Sequence, residues 1–438
     1  MRDILTDLLA FGFALGVIIV VHESGHLLVA KAFGVRVLTF SIGFGKRLVG
    51  FERGGTDYRL SLVPLGGYVR LHGENPEESS GEPGEFLSKP RWQRVLVYLA
   101  GPTMNVVLSV AITACLFMVG NELPNLPDIP PVVGGVEEGS SAAAAGLAKG
   151  DLIVRVNGER IADWQNLSLA LLTSPDKPLA LVVRRNDRVF DATVTPKRVP
   201  RYEVGDLAGL YPLVRPQVRS VLPGSPAARA ALRPGDEIRA VDGRPITDTR
   251  AFIDAIEKRP GVAVAVAVVR GGKPLVVTVV PALQGKVGKI GAYVGFYQRY
   301  PPGQALLKSL SYNLDIAVET FQVLGKVFRR QMSAKGVIGG PIEIAAQSGE
   351  AYRAGYQALF NLLGFVSLSI AILNLMPIPI LDGGQIFILL IEEVIRRDLS
   401  LRVKEVISQV GLVLILMLMV VVVYFDLTKH LPGLVPGS

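Results

Sequence analysis

A histidine-containing motif lies inside an apolar segment that is long enough to cross a lipid bilayer. The segment covers residues 4–30, and the motif His22-Glu23-Ser24-Gly25-His26 stands near its end. About 20 apolar residues are enough for a spanning helix. Ionisable groups at that depth are costly, so they usually mark a functional site. The segment therefore predicts a membrane helix that carries part of such a site.

The spacing of the motif makes two of its residues candidate metal ligands. Residues four apart share one face of a helix, so His22 and His26 can direct ring nitrogens at one ion. Glu23 can then reach a water molecule on that ion, which is the arrangement of zinc hydrolases. The chain has only four histidines, and we expect His72 and His430 to be surface or interfacial residues. The motif thus predicts a Zn2+ site.

The composition is typical of an integral membrane protein. Half of the 438 residues are hydrophobic, 19% are charged, and the mean hydropathy is +0.40. Further apolar runs predict spans at about 94–119, 358–376 and 410–424. The formal charge of +8 is explained by basic residues beside the spans, and nucleic acid is not an expected partner. Cys115 is the single cysteine, which excludes an intrachain disulfide.

The segments around the second span have other patterns. Residues 35–71 are rich in β-forming residues and glycine, so they predict strands in hairpins. Residues 73–91 are polar and acidic and predict a loop, and residues 121–131 predict a proline-rich linker. Asn105 stands in the second span, where we expect it mainly to pack helices, with a role in the active site as the alternative.

An internal repeat follows the second span. Residues 139–161 align without gaps with residues 224–246, and 12 of the 23 positions are identical. Both copies contain a Gly-Ser start, a Gly-Asp pair and an Asn-Gly or Asp-Gly turn. The repeat resembles tandem, circularly permuted PDZ domains, which we expect at 124–200 and 205–285. Such grooves bind peptides by strand addition, and inert spacers or steric plugs are the alternative.

The C-terminal part supplies a further candidate ligand. Residues 304–335 predict a charged, amphipathic helix at the membrane surface or under the PDZ pair, and residues 336–341 predict a chain break. The third span ends in a segment with two prolines, Pro377 and Pro379, followed by Asp382. A carboxylate in this apolar context needs a partner, and a metal ion is the natural one. Capping of the following helix is the alternative for Asp382.

The distribution of Lys and Arg predicts the orientation in the membrane. Residues 31–94 contain ten of them and residues 396–404 contain four, whereas both terminal tails contain few. By the positive-inside rule, residues 31–94 and a loop at 384–408 are cytoplasmic. Both termini and the PDZ pair are then on the outer side, and the ligand candidates face the cytoplasmic side.

Taken together, the His-Glu-x-x-His motif, the PDZ insertion and the Asn-x-x-Pro-x-Pro-x-Leu-Asp-Gly segment resemble the site-2 protease family of intramembrane zinc metalloproteases. The resemblance implies an α-helical polytopic membrane protein with four transmembrane helices, a membrane re-entrant β-hairpin region and two α+β PDZ domains. It implies that His22, His26 and Asp382 bind zinc, that Glu23 activates water, and that Asn374 holds the substrate backbone.

The same resemblance implies partners and a location. The substrate would be a pre-trimmed single-span membrane protein such as an anti-sigma factor, and remnant signal peptides would be a further class. The location would be the bacterial inner membrane, with periplasmic PDZ domains that bind a peptide or exclude bulky substrates. The expected domain order is 1–120, the two PDZ domains, the helix at 304–335 and a last pair of spans at 356–438. A membrane-tethered PDZ adaptor with a structural metal site is the competing interpretation.

Overall fold

The computed structural model describes residues 2–75, 77, 79–120, 129–200, 202–285, 287–295, 299–330 and 332–430, so most of the expected linker at 121–131 lies outside it. The chain divides into two compact units. The helical unit contains the chain up to Leu116, Leu306–Phe321 and the chain from Ile338 onward. The repeat unit contains Phe117–Ala305 and Gln322–Val337.

The elements of the described residues are numbered in chain order. The helices are α1 (Arg2–Ala32), α2 (Arg91–Val119), α3 (Ser141–Ala144), α4 (Trp164–Leu172), α5 (Pro226–Arg229), α6 (Thr249–Glu257), α7 (Pro302–Phe328), α8 (Ala334–Val337), α9 (Pro341–Ala354), α10 (Tyr356–Asn374), α11 (Asp382–Ile395) and α12 (Leu401–His430). The strands are β1 (Val37–Arg53), β2 (Thr56–Leu71), β3 (Val133–Val136), β4 (Leu152–Val156), β5 (Glu159–Arg160), β6 (Leu179–Arg185), β7 (Arg188–Val194), β8 (Arg198–Val199), β9 (Val204–Gly205), β10 (Leu210–Pro212), β11 (Gln217–Val221), β12 (Glu237–Val241), β13 (Arg244–Pro245), β14 (Val264–Arg270), β15 (Lys273–Val279), β16 (Ala282–Gln284), β17 (Val287–Lys289) and β18 (Ala292–Gly295).

Four helices of the helical unit are long and apolar enough to cross a membrane. They are α1, α2, α10 and α12, which confirms the four predicted spans. Helix α12 begins at Leu401, earlier than the span expected at 410–424, because its charged first turns are helical as well. A hydropathy pattern marks the apolar part of a helix and not its polar extension, so its start could not be read from the sequence.

Strands β1 and β2 form the antiparallel sheet that was expected at 35–71. The first part of β1 has a stretch of β2 on each of its two sides, since Thr39 lies opposite both Arg70 and Asp57. The stretch Gly67–Leu71 pairs with the first part of β1, and the last part of β1 pairs with the start of β2. The sheet therefore bends back on itself and has Gly67–Leu71 along one edge.

The repeat unit contains two domains of the same design. Ser140 and Ser225 each cap a short helix, and Asp163 and Asp248 each cap a longer one by accepting a hydrogen bond from a backbone N–H. Each copy has its own core of buried aliphatic side chains around the second helix. Equivalent residues of the two copies thus have the same structural role, as the sequence repeat predicts.

Both domains extend beyond their predicted ends at residues 200 and 285. In the first copy β10 pairs with β3, and in the second copy β18 pairs with β11. These closing strands contain only three or four residues. Strands that short leave no alternating pattern, which is why the predicted bounds missed them.

Two predictions for the C-terminal part were wrong in detail. The helix expected at 304–335 ends at Phe328. The break expected at 336–341 is present at residues 338–340, between α8 and α9, and Pro341 can start α9 because a proline is tolerated in the first turn of a helix. The expected cytoplasmic loop at 384–408 is mostly helical, since α11 continues to Ile395 and α12 begins soon afterwards.

Candidate metal centre and active site

The structure brings the three candidate ligands to one point in the helical unit. The Nε2 atoms of His22 and His26 are 3.2 Å apart. The carboxylate oxygens of Asp382 lie 3.3 Å from Nε2 of His22 and 3.5 Å from Nε2 of His26. Among the described residues, these are the His and acidic side chains that lie close enough together to bind one ion.

The separations of these atoms fit a zinc ion. Ligand atoms about 2.0–2.2 Å from a tetrahedral centre are about 3.4 Å from one another. The three observed separations, from 3.2 to 3.5 Å, agree with that value. Two imidazoles and one carboxylate also form a donor set that zinc accepts in hydrolases, where a fourth position is left for water. The residues present therefore fit this metal.

Asp382 reaches the histidines because of the break between α10 and α11. Helix α10 ends at Asn374, and the two prolines that follow prevent it from continuing. Asp382 is the first residue of α11, where the partial positive charge of a helix start favours a carboxylate. The side chain of Gln385 donates a hydrogen bond of 2.7 Å to the carbonyl of Pro379, which holds the turn.

Helix α2 passes directly behind the two histidines. Nδ1 of His26 donates a hydrogen bond of 2.8 Å to the carbonyl oxygen of Val97, which turns Nε2 toward the cluster. A Cβ atom at Gly101 would stand 2.8 Å from Cε1 of His22, and one at Gly25 would stand 2.7 Å from the carbonyl carbon of Ala100. Both positions require glycine because the two helices approach this closely.

A cavity of about 1190 Å3 opens beside the cluster. Its wall includes all three candidate ligands, the predicted base Glu23 and the predicted substrate-binding residue Asn374. The edge stretch of β2 lines the same cavity, and a Cβ atom at Gly67 would stand 3.0 Å from Cγ of Glu23. A peptide segment in this cavity would therefore meet the ligands, the carboxylate and the strand edge together.

The cavity wall also carries charged side chains. Glu392 is completely buried, and its carboxylate accepts hydrogen bonds from the Nζ of Lys404 at 2.7 Å and from the N–H of Leu399 at 2.8 Å. This pair joins α11 to α12. Burial raises the pKa of Glu74, which accepts a hydrogen bond of 3.3 Å from the N–H of Leu71. Buried ionisable groups with perturbed pKa values at a cavity wall are typical of functional sites.

The five site residues predicted from the sequence lie at one cavity, but the groups that support them were not predicted. His22, His26 and Asp382 lie together, and Glu23 and Asn374 lie on the same cavity wall. The carbonyl of Val97 carries no side-chain signal, so no pattern could have indicated it. The pair Gly101-Pro102 was a usable signal, because a glycine inside an apolar helix often marks a close approach.

Comparison with known proteins places the chain in a family. A model described as Peptidase family M50 matches residues 10–418. Regulator of sigma-E protease RseP of Escherichia coli is 32% identical, with 98% of this chain and 100% of the relative covered. A provisionally named zinc metalloprotease of Vibrio cholerae is 29% identical, with the same shares covered.

One solved structure is similar to a smaller part of the chain. The PDZ domain of an SdrC-like protein from Listeria monocytogenes is 26% identical, covers 18% of this chain and 86% of its own, and has a TM-score of 0.17. The assignment therefore depends on the family model and on the full-length relatives, which confirm the resemblance seen in the sequence motifs. This chain belongs to peptidase family M50.

Proposed function

We propose that this protein is an intramembrane zinc metalloprotease of the site-2 type. One observation carries the proposal: the nitrogens and oxygens of His22, His26 and Asp382 have the mutual spacing of zinc ligands beside a cavity that also contains Glu23. The cavity lies among helices long and apolar enough to cross a membrane. Membership of a peptidase family supports hydrolysis as the reaction.

The three ligand residues would hold the ion and leave one position open. A zinc ion held by these residues would supply a bound water of lowered pKa and a Lewis acid for the carbonyl of the bond to be cut. Asp382 would compensate one positive charge of the ion. The hydrogen bond from His26 to the Val97 carbonyl would keep the ring in the orientation that directs Nε2 inward.

Glu23 would act as general base and then as general acid. It follows the first ligand on α1, so its carboxylate is carried on the helix that holds both histidines. It would remove a proton from the attacking water and deliver that proton to the nitrogen of the leaving amine. Asn374, at the end of α10 on the same cavity wall, would hold the substrate backbone through its amide.

The substrate would be a transmembrane helix that unwinds locally. The carbonyls of an intact helix are hydrogen-bonded within it and are closed to attack. We propose that the freed backbone pairs with the edge stretch Gly67–Leu71 of β2, whose other side already pairs with β1. This stretch borders the cavity, and such strand addition is a general mode of peptide binding. The unwound segment would then lie extended next to Glu23.

The relatives suggest the biological context. The Escherichia coli relative is named a regulator of sigma-E protease, which supports a pre-trimmed, anti-sigma-factor-like membrane protein as the substrate. Remnant signal peptides are a second substrate class of the same geometry. The distribution of basic residues supports an inner-membrane location with the PDZ domains and both termini in the periplasm. The PDZ pair would bind a peptide or exclude substrates whose outer domain is still bulky.

Replacing Glu23 tests the proposal. A Glu23→Gln variant should lose cleavage of a truncated single-span membrane protein by at least about a hundredfold. It should keep the zinc content and the thermal stability of the wild-type protein, because the amide has the same size and the ligands are intact. Cleavage at the wild-type rate by this variant would favour a PDZ adaptor with a structural metal site, and zinc loss would make Glu23 a structural residue.

A further inference from the structure

Asn105 has an unusual position behind the metal centre. Its side chain is 0% exposed, and its Nδ2 lies 3.2 Å from Nδ1 of His22. Its Oδ1 is buried as well and has no hydrogen-bond partner within the described residues. A buried amide oxygen without a partner costs about 1–3 kcal/mol, so such an atom needs an explanation.

The explanation follows from the proton on the ring of His22. Nε2 of His22 faces His26 and Asp382, so it is the nitrogen that a metal ion would occupy. The neutral ring then carries its proton on Nδ1, which must find an acceptor. In the structure the NH2 group of Asn105 faces that N–H. The oxygen and nitrogen of an asparagine are assigned from their hydrogen bonds, and a half-turn of the amide exchanges them.

We propose that Asn105 is a positioning residue of the metal centre, whose Oδ1 accepts the Nδ1 proton of His22. The turned amide gives the orphaned oxygen its partner and gives His22 the same kind of support that the Val97 carbonyl gives His26. Both acceptors then come from α2. The inference rests on the metal site of the proposed function and extends it to a residue that does not bind the ion.

The backbone of Asn105 is fixed by a second helix. The hydroxyl of Ser367 donates a hydrogen bond of 2.9 Å to the carbonyl oxygen of Asn105. Ser367 is completely buried in α10, the helix that precedes the turn carrying Asp382. The support of His22 and the placement of Asp382 are therefore connected through α10. This arrangement explains why an amide stands in an apolar helix at this depth.

The inference predicts how zinc affinity responds to the acceptor. Removing a hydrogen-bond acceptor behind a metal-binding histidine typically costs about 10–100-fold in affinity. Asn105→Leu, which keeps the approximate volume, should weaken zinc binding by about that factor. Asn105→Asp should keep the affinity within a few-fold of wild type, because a carboxylate oxygen accepts the same proton. If the amide instead donated to Nδ1, the carboxylate would repel that nitrogen and Asn105→Asp would be the worse variant.

The experiment measures zinc affinity of the full chain in detergent by competition with a chelator. The visible spectrum of the Co2+-loaded protein reports the ligand geometry independently of activity. Asn313→Leu and Asn313→Asp are matched controls, since Asn313 is a buried asparagine of α7 whose amide is hydrogen-bonded to Ser109, Thr113 and Ser309. These controls should lower stability and leave zinc affinity unchanged.

The expected result is weak binding in Asn105→Leu with near-normal binding and cobalt spectrum in Asn105→Asp. Equal zinc affinity in wild type and Asn105→Leu overturns the inference and leaves the proposed function intact. A wild-type protein without zinc affinity contradicts both. If Asn105→Leu does not fold, Asn105→Asp still decides, because a loss of affinity and a changed cobalt spectrum in that variant would contradict acceptance by Oδ1.

Discussion

The carboxylate of Asp382 lies 3.3 Å from Nε2 of His22, although the two residues stand near opposite ends of the chain. The contact depends on how closely the surrounding helices approach one another. Helix α1 contributes the histidines, and the first residue of α11 contributes the carboxylate. A substitution that moves α1 away from its neighbours should therefore disturb the candidate metal centre more than it disturbs the rest of the fold.

The first prediction concerns glycines of α1. Gly25→Ala should weaken zinc binding and lower stability by about 1–3 kcal/mol, because the new methyl would strike the backbone at Ala100. Gly16→Ala is the control on the same helix, since nothing stands within 4 Å of a Cβ there, and it should change stability by no more than about 0.5 kcal/mol. Zinc content and thermal unfolding in detergent measure both. Equal effects of the two variants would show that the close approach is unimportant.

The second prediction concerns the start of α9. Asp426 of α12 accepts hydrogen bonds from the backbone N–H groups of Gly340, Ile342 and Glu343 at 2.9, 2.9 and 3.2 Å. It thereby caps a helix that has no side-chain cap of its own. Asp426→Ala should destabilise the protein by about 0.5–2 kcal/mol, the usual cost of losing such a cap. Hydrogen exchange at those three amides should speed up.

Asp426→Asn provides a graded comparison for the same site. The amide retains one acceptor oxygen, so its effect should lie between those of wild type and Asp426→Ala. Unchanged exchange at the start of α9 in both variants would refute the capping role.

The third prediction is a pH dependence of the first repeat domain. Asp151 is 0% exposed, and Arg185 donates two hydrogen bonds to its carboxylate at 2.7 and 2.8 Å. Burial alone would raise the pKa of Asp151, but these bonds and one from the N–H of Ala148 lower it below 3.8. Since the native pKa is the lower one, the stabilisation is complete above pH 3.8 and is lost as the pH falls through the native pKa.

Removing the arginine should reverse that dependence. In Arg185→Met the bond from the N–H of Ala148 remains, but the arginine no longer offsets burial, so the pKa of Asp151 should rise and the variant should be about 1–3 kcal/mol less stable at neutral pH. The deficit should shrink as the pH falls toward 3.8. Hydrogen exchange of the domain in the full chain measures this. Arg198→Met is the control because its partner Asp176 is exposed, and a deficit of similar size there would contradict the account.

The fourth prediction concerns the strand edge. A photo-crosslinker at Tyr68, which lines the cavity, should capture a bound substrate in the Glu23→Gln variant. A crosslinker at Val49, in the part of β1 that pairs only with the start of β2, should capture much less. Mass spectrometry of the crosslinked peptides identifies the contact. Equal capture at both positions, or capture at neither, would rule out pairing of the substrate with Gly67–Leu71.

The three candidate ligands could be picked out from the sequence because each is an exception to the pattern around it. Two histidines lie four residues apart in an apolar helix, and an aspartate follows two prolines. The resemblance to the site-2 protease family then implied that the three share one ion. The four spans and the repeat were predictable for the same reason, since length, apolarity and self-similarity are properties of the sequence itself.

The supporting contacts could not be predicted because they depend on which helices pack together. Nothing in the sequence pairs Asn105 with His22, and helix packing alone would have explained an asparagine in an apolar segment. Helix α9 was missed because its start is stabilised by Asp426, a residue far along the chain. The closing strands of the repeat domains are defined by pairing rather than by alternation.

Zinc content and cleavage, measured together in an Asp382→Ala variant, show whether the three candidate ligands form a catalytic metal site. The wild-type chain should bind one zinc ion and cleave a truncated single-span substrate, and this variant should lose both. Asp398→Ala, at an exposed ion pair with Arg91, should keep both. An Asp382→Ala protein that retains zinc and cleaves at the wild-type rate would contradict the assignment of His22, His26 and Asp382 as the catalytic metal site.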